Sequence, residues 1–183
     1  MKFSRFLIIK IFFIFASCQL FFNVSKANAA EEIKIVYSIF SRTIKVSSLK
    51  TFAEEGKSTK KLRRILKATK SSDEEIRSIL NKDFEIPISI ASKLVYSEIG
   101  TVFLTRLSSI VHPPIADDEK TGLLALRSSV IQGINLGNGN INLITFFEGY
   151  PTKTVILDVN ALSKVMNKVE SISELLAFFT NSP

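Results

Sequence analysis

"EEIKIVYSIFSRTIKVSSLKTFAEEG", residues 31 to 56, changes its hydrophobic period part-way along, and that change decides the fold. Ile33, Ile35 and Tyr37, then Ile44 and Val46, recur at spacing two, as in strands with one covered side. The two runs fold back on each other around Ser38-Ile39-Phe40-Ser41, a turn with no Gly, Asn or Pro. From Ser47 onward the spacing is helical. Leu49, Phe52 and Ala53 share one face, Ser47 is placed to cap the helix start, and Gly56 is placed to stop it.

The same punctuation continues downstream. Ser58 precedes Leu62, Ile65 and Leu66, and Ser72 with Glu75 forms a capping box before Ile76, Ile79 and Leu80. After Pro87, Ser89 is expected to start a helix through Leu94 and Val95. Ser97 starts another through Val102, Phe103, Leu107 and Ile110, ended by Pro113-Pro114. Asp117 or Asp118 opens a further helix that Gly137-Asn138-Gly139-Asn140 breaks. A short apolar segment spans Ile141 to Phe147, Thr154 to Val159 reads as a third strand, and a C-terminal helix follows with Leu162, Val165, Met166, Val169, Leu175 and Leu176 inside.

The expected fold is therefore α+β and mainly helical, with about six to eight short helices around a small sheet of about three strands, the hairpin near 33–46 plus the strand near 154–159. One internal echo bears on topology. Ile44-Lys45-Val46-Ser47 and Leu157-Asp158-Val159-Asn160 share the same order of strand, cap and helix, which predicts that the two strands are neighbours.

Residues 1–29 read as a signal peptide. Lys2, Arg5 and Lys10 precede an apolar run from Ile11 to Phe22, and Ala27-Asn28-Ala29 supplies the small-x-small site for a cut before Ala30. Two alternatives share the segment: a lipoprotein signal through Cys18, and an uncleaved anchor over Phe6 to Val24. Four of the 24 basic residues and none of the 17 acidic ones lie in 1–29, so cleavage lowers the net charge from +7 to +3. The basic balance thus gives no reason to expect a nucleic-acid partner. Cys18, the one cysteine, leaves with the signal, and residues 30–183 must fold as one domain on a hydrophobic core without a disulfide.

Motifs for chemistry are scarce. The sequence contains no Gly-x-Ser-x-Gly, and its single histidine, His112, lies before Pro113-Pro114 near an expected helix end. Gly56-Lys57-Ser58 lacks the earlier glycine of a phosphate loop, where Thr51 stands, and reads as a helix stop and cap. Gly137-Asn138-Gly139 lacks the third glycine of a dinucleotide fingerprint. Asp117-Asp118-Glu119 lacks the alternating spacing of a calcium loop and reads as acids at a helix start. No catalytic residue, metal-ligand set or cofactor site is expected. The most polarised stretch runs from Lys57 to Lys70 with no acid in it. At helical spacing, Lys60, Arg63, Arg64 and Lys67 form an outward face suited to anionic headgroups or an acidic partner.

Four stretches, "VYSIFSRTIKVSSLKTFAEEGKSTKKLR", "IPISIASKLVYSEIGTVFLTRLSSIV", "GLLALRSSVIQ" and "YPTKTVILDV", carry a resemblance. In this order they resemble a cyanobacterial family of unknown function grouped with the α/β-hydrolases. The resemblance implies an exported module that occurs alone or ahead of a hydrolase catalytic domain, and it brings no catalytic residues with it. It also implies Gly-Pro and an apolar residue in the hairpin turn; Ser38 and Ile39 depart from that, while Phe40 keeps the apolar character. Phe40 is accordingly expected beneath neighbouring helices, an exposed partner-binding tip being the alternative.

The leading functional expectation is a non-catalytic binding or accessory module of the cell envelope, acting on a protein partner or an anionic membrane surface. The alternatives are an esterase-type hydrolase, as the resemblance suggests, and a structural envelope protein.

Overall fold

A computed structural model describes residues 29–67, 72–115 and 119–166. The chain enters through β1 (Glu32–Tyr37) and β2 (Phe40–Lys45), and β2 passes without a loop into α1 (Val46–Glu55). Then come α2 (Lys60–Leu66), α3 (Asp73–Leu80), a two-residue β3 (Phe84–Glu85), α4 (Ile88–Tyr96), α5 (Glu98–Leu107) and a two-residue β4 (Val111–His112). The long α6 (Glu119–Leu136) leads to β5 (Asn140–Ile141), α7 (Leu143–Glu148), β6 (Thr154–Asp158) and α8 (Val159–Met166). The architecture is α+β and mainly helical, with eight helices among the described residues.

The sheet explains why the chain's two ends meet. Its order is β2-β1-β6-β4, with β1 antiparallel to β2, β1 parallel to β6, and β4 antiparallel to β6. Register lines up one apolar row, Ile44-Ile33-Val155, across three strands, and a second, Ile35-Leu157-Val111, beside it. The first row is fully covered. These rows explain a correction to the echo of strand and helix. The strand at 154–158 joins the hairpin's sheet but pairs with β1, because β1 and β6 both alternate apolar residues toward the core. The outer strand β2 presents Ser41, Arg42 and Thr43 instead, which makes it an edge. The backbone N–H groups of Glu31 and Glu32 both donate to Lys153 O and fasten that pairing at its start.

Behind the sheet lies the core. In α1, Phe52 and Ala53 are completely buried, joined by Leu62 of α2, Leu126 and Ile134 of α6, and Tyr150. Where α6 meets α7 the backbones nearly touch: a Cβ on Gly149 would lie 2.6 Å from Gly133 N. Arg127 of α6 ties α4 and α5 together, donating to Val95 O at 2.9 Å and to the Thr101 hydroxyl, with its guanidinium over the Tyr96 ring.

Helix ends follow the expected chemistry with shifts of one or two residues. Gly56 takes φ 72° and stops α1, and Ser72 with Glu75 forms the reciprocal capping box of α3. Ser97 caps α5 by accepting from Gly100 N. Elsewhere the cap differs. Ser47 does not cap α1, whose first N–H, on Val46, donates to Glu31 O across the hairpin. Thr59, not Ser58, caps α2; Pro87, not Ser89, flanks the start of α4; and Asp158, not Asn160, caps α8 through the Asn160 and Ala161 N–H groups. The helix expected to run to Pro113 ends at Leu107, because Val111 and His112 leave to pair with β6. Ile141 to Phe147 divides into β5, paired with β3, and α7, which Asn142 and Thr145 cap reciprocally. The helix start at Asp117 or Asp118 and the inward positions expected beyond Met166 lie outside the described residues.

Candidate binding surface

The hairpin is built so that one face of its ladder runs from the core into solvent. Ile33 opposite Ile44, Ile35 opposite Arg42, and Tyr37 opposite Phe40 all lie on that face, since alternate residues of a strand point the same way. At the base, Ile33 and Ile44 are 3% and 7% exposed; at the tip, Tyr37 and Phe40 are 59% and 62% exposed, and Ile39 between them 89%. Phe40 is therefore not beneath the helices. The correction has a simple cause: α1 departs from Val46, at the base end, and covers only what lies beside it. Two residues suffice to turn the chain because Ser38 takes φ 52°, a left-handed conformation that glycine adopts more readily than serine.

Beside this tip stand cations. Residues 33–45 contain Lys34, Arg42 and Lys45 and no acid. On α2, Leu62 and Leu66 are buried while Lys60, Lys61, Arg63, Arg64 and Lys67 are exposed, the outward basic face that the spacing predicts. The start of this helix lies across a shallow cleft from the base half of β2, where Thr59, Lys61 and Leu62 line the cleft with Thr43, Ile44, Lys45 and the acidic Glu32. Among the described residues none of these α2 cations makes an ion pair; Lys57, just before the helix, pairs with Glu55 at 2.8 Å. The nearest carboxylate to the tip in register is Asp158, opposite Val36, and its Oδ1 is engaged by the α8 cap.

Other candidate groups are dispersed. His112 lies in β4 with Nδ1 2.9 Å from Pro113 O, and among the described residues no serine hydroxyl is within hydrogen-bonding distance of its ring. Ser129 is fully buried and donates to Phe146 O. Lys50 and Glu148 pair at 2.9 Å, and that hydrogen bond holds the Lys50 ammonium above its ordinary range. Burial pushes the Tyr150 phenol well above its ordinary range, and its hydroxyl has no hydrogen-bond partner among the described residues. No group of three or more His, Cys, Asp or Glu side chains gathers among the described residues, and no described helix is long and apolar enough to cross a membrane. Of the cleavage-site residues, Ala27 lies outside the described residues; Ala29 is exposed, whereas Ala30 is buried where β1 begins. The tip is the feature that alternation alone failed to place. The turn's own residues, Tyr37, Ile39 and Phe40 with Ser38 and Ser41, leave a buried and an exposed tip equally open.

Comparison with known proteins gives one family. No curated protein and no solved structure matches the chain. The model of a family described as "Alpha/beta hydrolase of unknown function (DUF1400)" matches residues 29–158, from the start of the described chain to the last residue of β6. With the hairpin, the helices between and the closing strand all inside the match, the protein belongs to this family of α/β-hydrolases of unknown function.

Proposed function

We propose that the protein is an exported, non-catalytic binding or accessory module of the cell envelope, and that its contact surface is the tip of the β1–β2 hairpin. The observation that carries this reading is the exposure of Tyr37, Ile39 and Phe40 together at the end of the hairpin, in a protein that also exposes the basic face of α2. Three large apolar side chains in four residues are costly to leave in water, at about 25 cal/mol per Å² of apolar surface, and such a cluster marks an interaction site. The reading of residues 1–29 as a signal peptide supports action outside the cytoplasm.

The test is fractionation of the native host with the wild-type chain and with Tyr37→Ser, Ile39→Ser and Phe40→Ser combined. The wild type is expected in the envelope fraction, starting at Ala30 by mass spectrometry, and the variant is expected to wash free. Equal retention of both, or recovery from the cytoplasm, would overturn the reading. The family's description favours a second reading, an esterase-type hydrolase. Labelling by a serine-directed activity probe, abolished by changing a single serine, would establish it instead.

A further inference from the structure

We infer that the surface covering the hairpin tip is an anionic lipid bilayer, with the tip entering the headgroup layer and the α2 cations standing over it. This rests on the reading of the tip as the contact surface. The size of the patch favours lipid over a folded partner: the apolar residues sit at the end of a two-strand ladder, and three side chains supply far less than the roughly 1,000 Å² of well-packed surface that a specific protein interface needs. Charge completes the match. Lys34 and Arg42 stand on the hairpin behind the tip, and Lys60, Lys61, Arg63 and Arg64, with Lys67 just after them, stand on the helix across the cleft from Thr43 to Lys45; Glu32 is the acid lining that cleft, and none lies between 33 and 45 or between 57 and 67.

The spacing also fits. Thr43 to Lys45, level with the start of α2, lie four to six residues from Ile39, which at a strand rise of about 3.3 Å per residue places that part of the helix about 13–20 Å behind the tip. An apolar tip entering about 5–10 Å leaves that part of the helix about 3–15 Å above the surface. The nearer part of that range is inside the Debye length of about 10 Å at 0.1 M salt, where the α2 cations act on the headgroups without contacting hydrocarbon. Apolar insertion and cationic attraction then contribute together, the pairing of two weak signals that peripheral membrane binding requires.

The test uses the full chain, produced with its leader and purified after processing, with every variant compared at the same N-terminus. Co-flotation is measured with vesicles of phosphatidylcholine alone and of phosphatidylcholine mixed equally with phosphatidylglycerol. Binding is expected to be at least about tenfold stronger on the anionic vesicles and to weaken as salt rises. The combined Tyr37→Ser, Ile39→Ser and Phe40→Ser variant is expected to lose about tenfold or more on the same vesicles. A second variant, Lys60→Glu with Arg63→Glu and Arg64→Glu, is expected to lose a similar factor and most of the salt dependence, while both variants keep the wild-type melting temperature.

Equal binding to neutral and anionic vesicles, or anionic binding that both variants retain, would overturn the proposal. A tip-dependent self-association seen by sedimentation would overturn it in favour of a second copy. Envelope retention that depends on the tip, with no vesicle binding, would overturn the lipid assignment in favour of a protein partner and leave the tip as the contact surface. Retention that ignores the tip would remove both.

Discussion

Ile33 faces Ile44 at the base of the hairpin and Tyr37 faces Phe40 at its tip, on the same face of the same ladder, yet the first pair is buried and the second is in water. Local pattern is identical at the two ends. What differs is the layer behind them. At the base, α1 leaves directly from β2 and brings Phe52 and Ala53 against the sheet, and β6 adds Val155 in the same row. At the tip, four residues further along each strand, the covering helix has already turned away. Alternation therefore states which side of a strand is apolar but not how far its cover extends, and a strand that outruns its cover presents core chemistry to solvent.

Four substitutions sharpen or break that contrast. The largest effect is expected at the base, where Ile33→Ala removes a side chain seated between two apolar neighbours and costs about 2–5 kcal/mol in urea unfolding. Next comes Tyr150→Phe, deep in the core, which removes a buried hydroxyl without a partner among the described residues and is expected to stabilise by about 1–2 kcal/mol. It also carries a pH signature. Because burial raises the folded phenol above its ordinary value, the unfolded chain loses its proton first as pH rises past about 10, and wild-type stability falls there.

The Phe variant is expected to lack most of that fall. A smaller alkaline loss remains from Lys50, whose raised value makes its pairing with Glu148 a contribution that is present at lower pH and lost as pH climbs through its folded value. At the tip, Ser38→Gly relieves a left-handed residue and is expected to raise the melting midpoint modestly, by about 0.5–1 kcal/mol of stability. The smallest effect belongs to Phe40→Ser, within about 0.5 kcal/mol of wild type, since its ring contributes little to the folded core. A large destabilisation by Phe40→Ser would erase the distinction between base and tip.

The parts of the fold that were legible in the sequence are those with strong local chemistry. The hairpin's alternation, the helical face of Leu49, Phe52 and Ala53, the left-handed stop at Gly56 and the capping box at Ser72 all appear where the spacing put them. The short strands β4 and β5 were not legible, because two residues carry no period; their pairing comes from β6 and β3. Cap positions moved where a competing partner was supplied at a distance, as Glu31 O replaced Ser47 at the start of α1. The basic face of α2 was legible as an outward face because Leu62 and Leu66 mark the inward one. The exposure of Phe40 was not, because it depends on where α1 ends its cover rather than on any residue near the turn.

The claim that the tip is an exposed surface meant for contact is tested most directly by fluorescence. The chain contains no tryptophan, so Phe40→Trp introduces a single reporter at the tip. In the free protein its emission is expected to be that of a solvent-exposed indole, readily quenched by acrylamide. On adding membranes from the native envelope, it is expected to shift to the blue and become protected, while a Phe84→Trp reporter, exposed on β3 in the separate two-stranded sheet, stays unchanged. A tip reporter already shielded in the free chain, or one that remains fully quenchable on those membranes, would contradict the account.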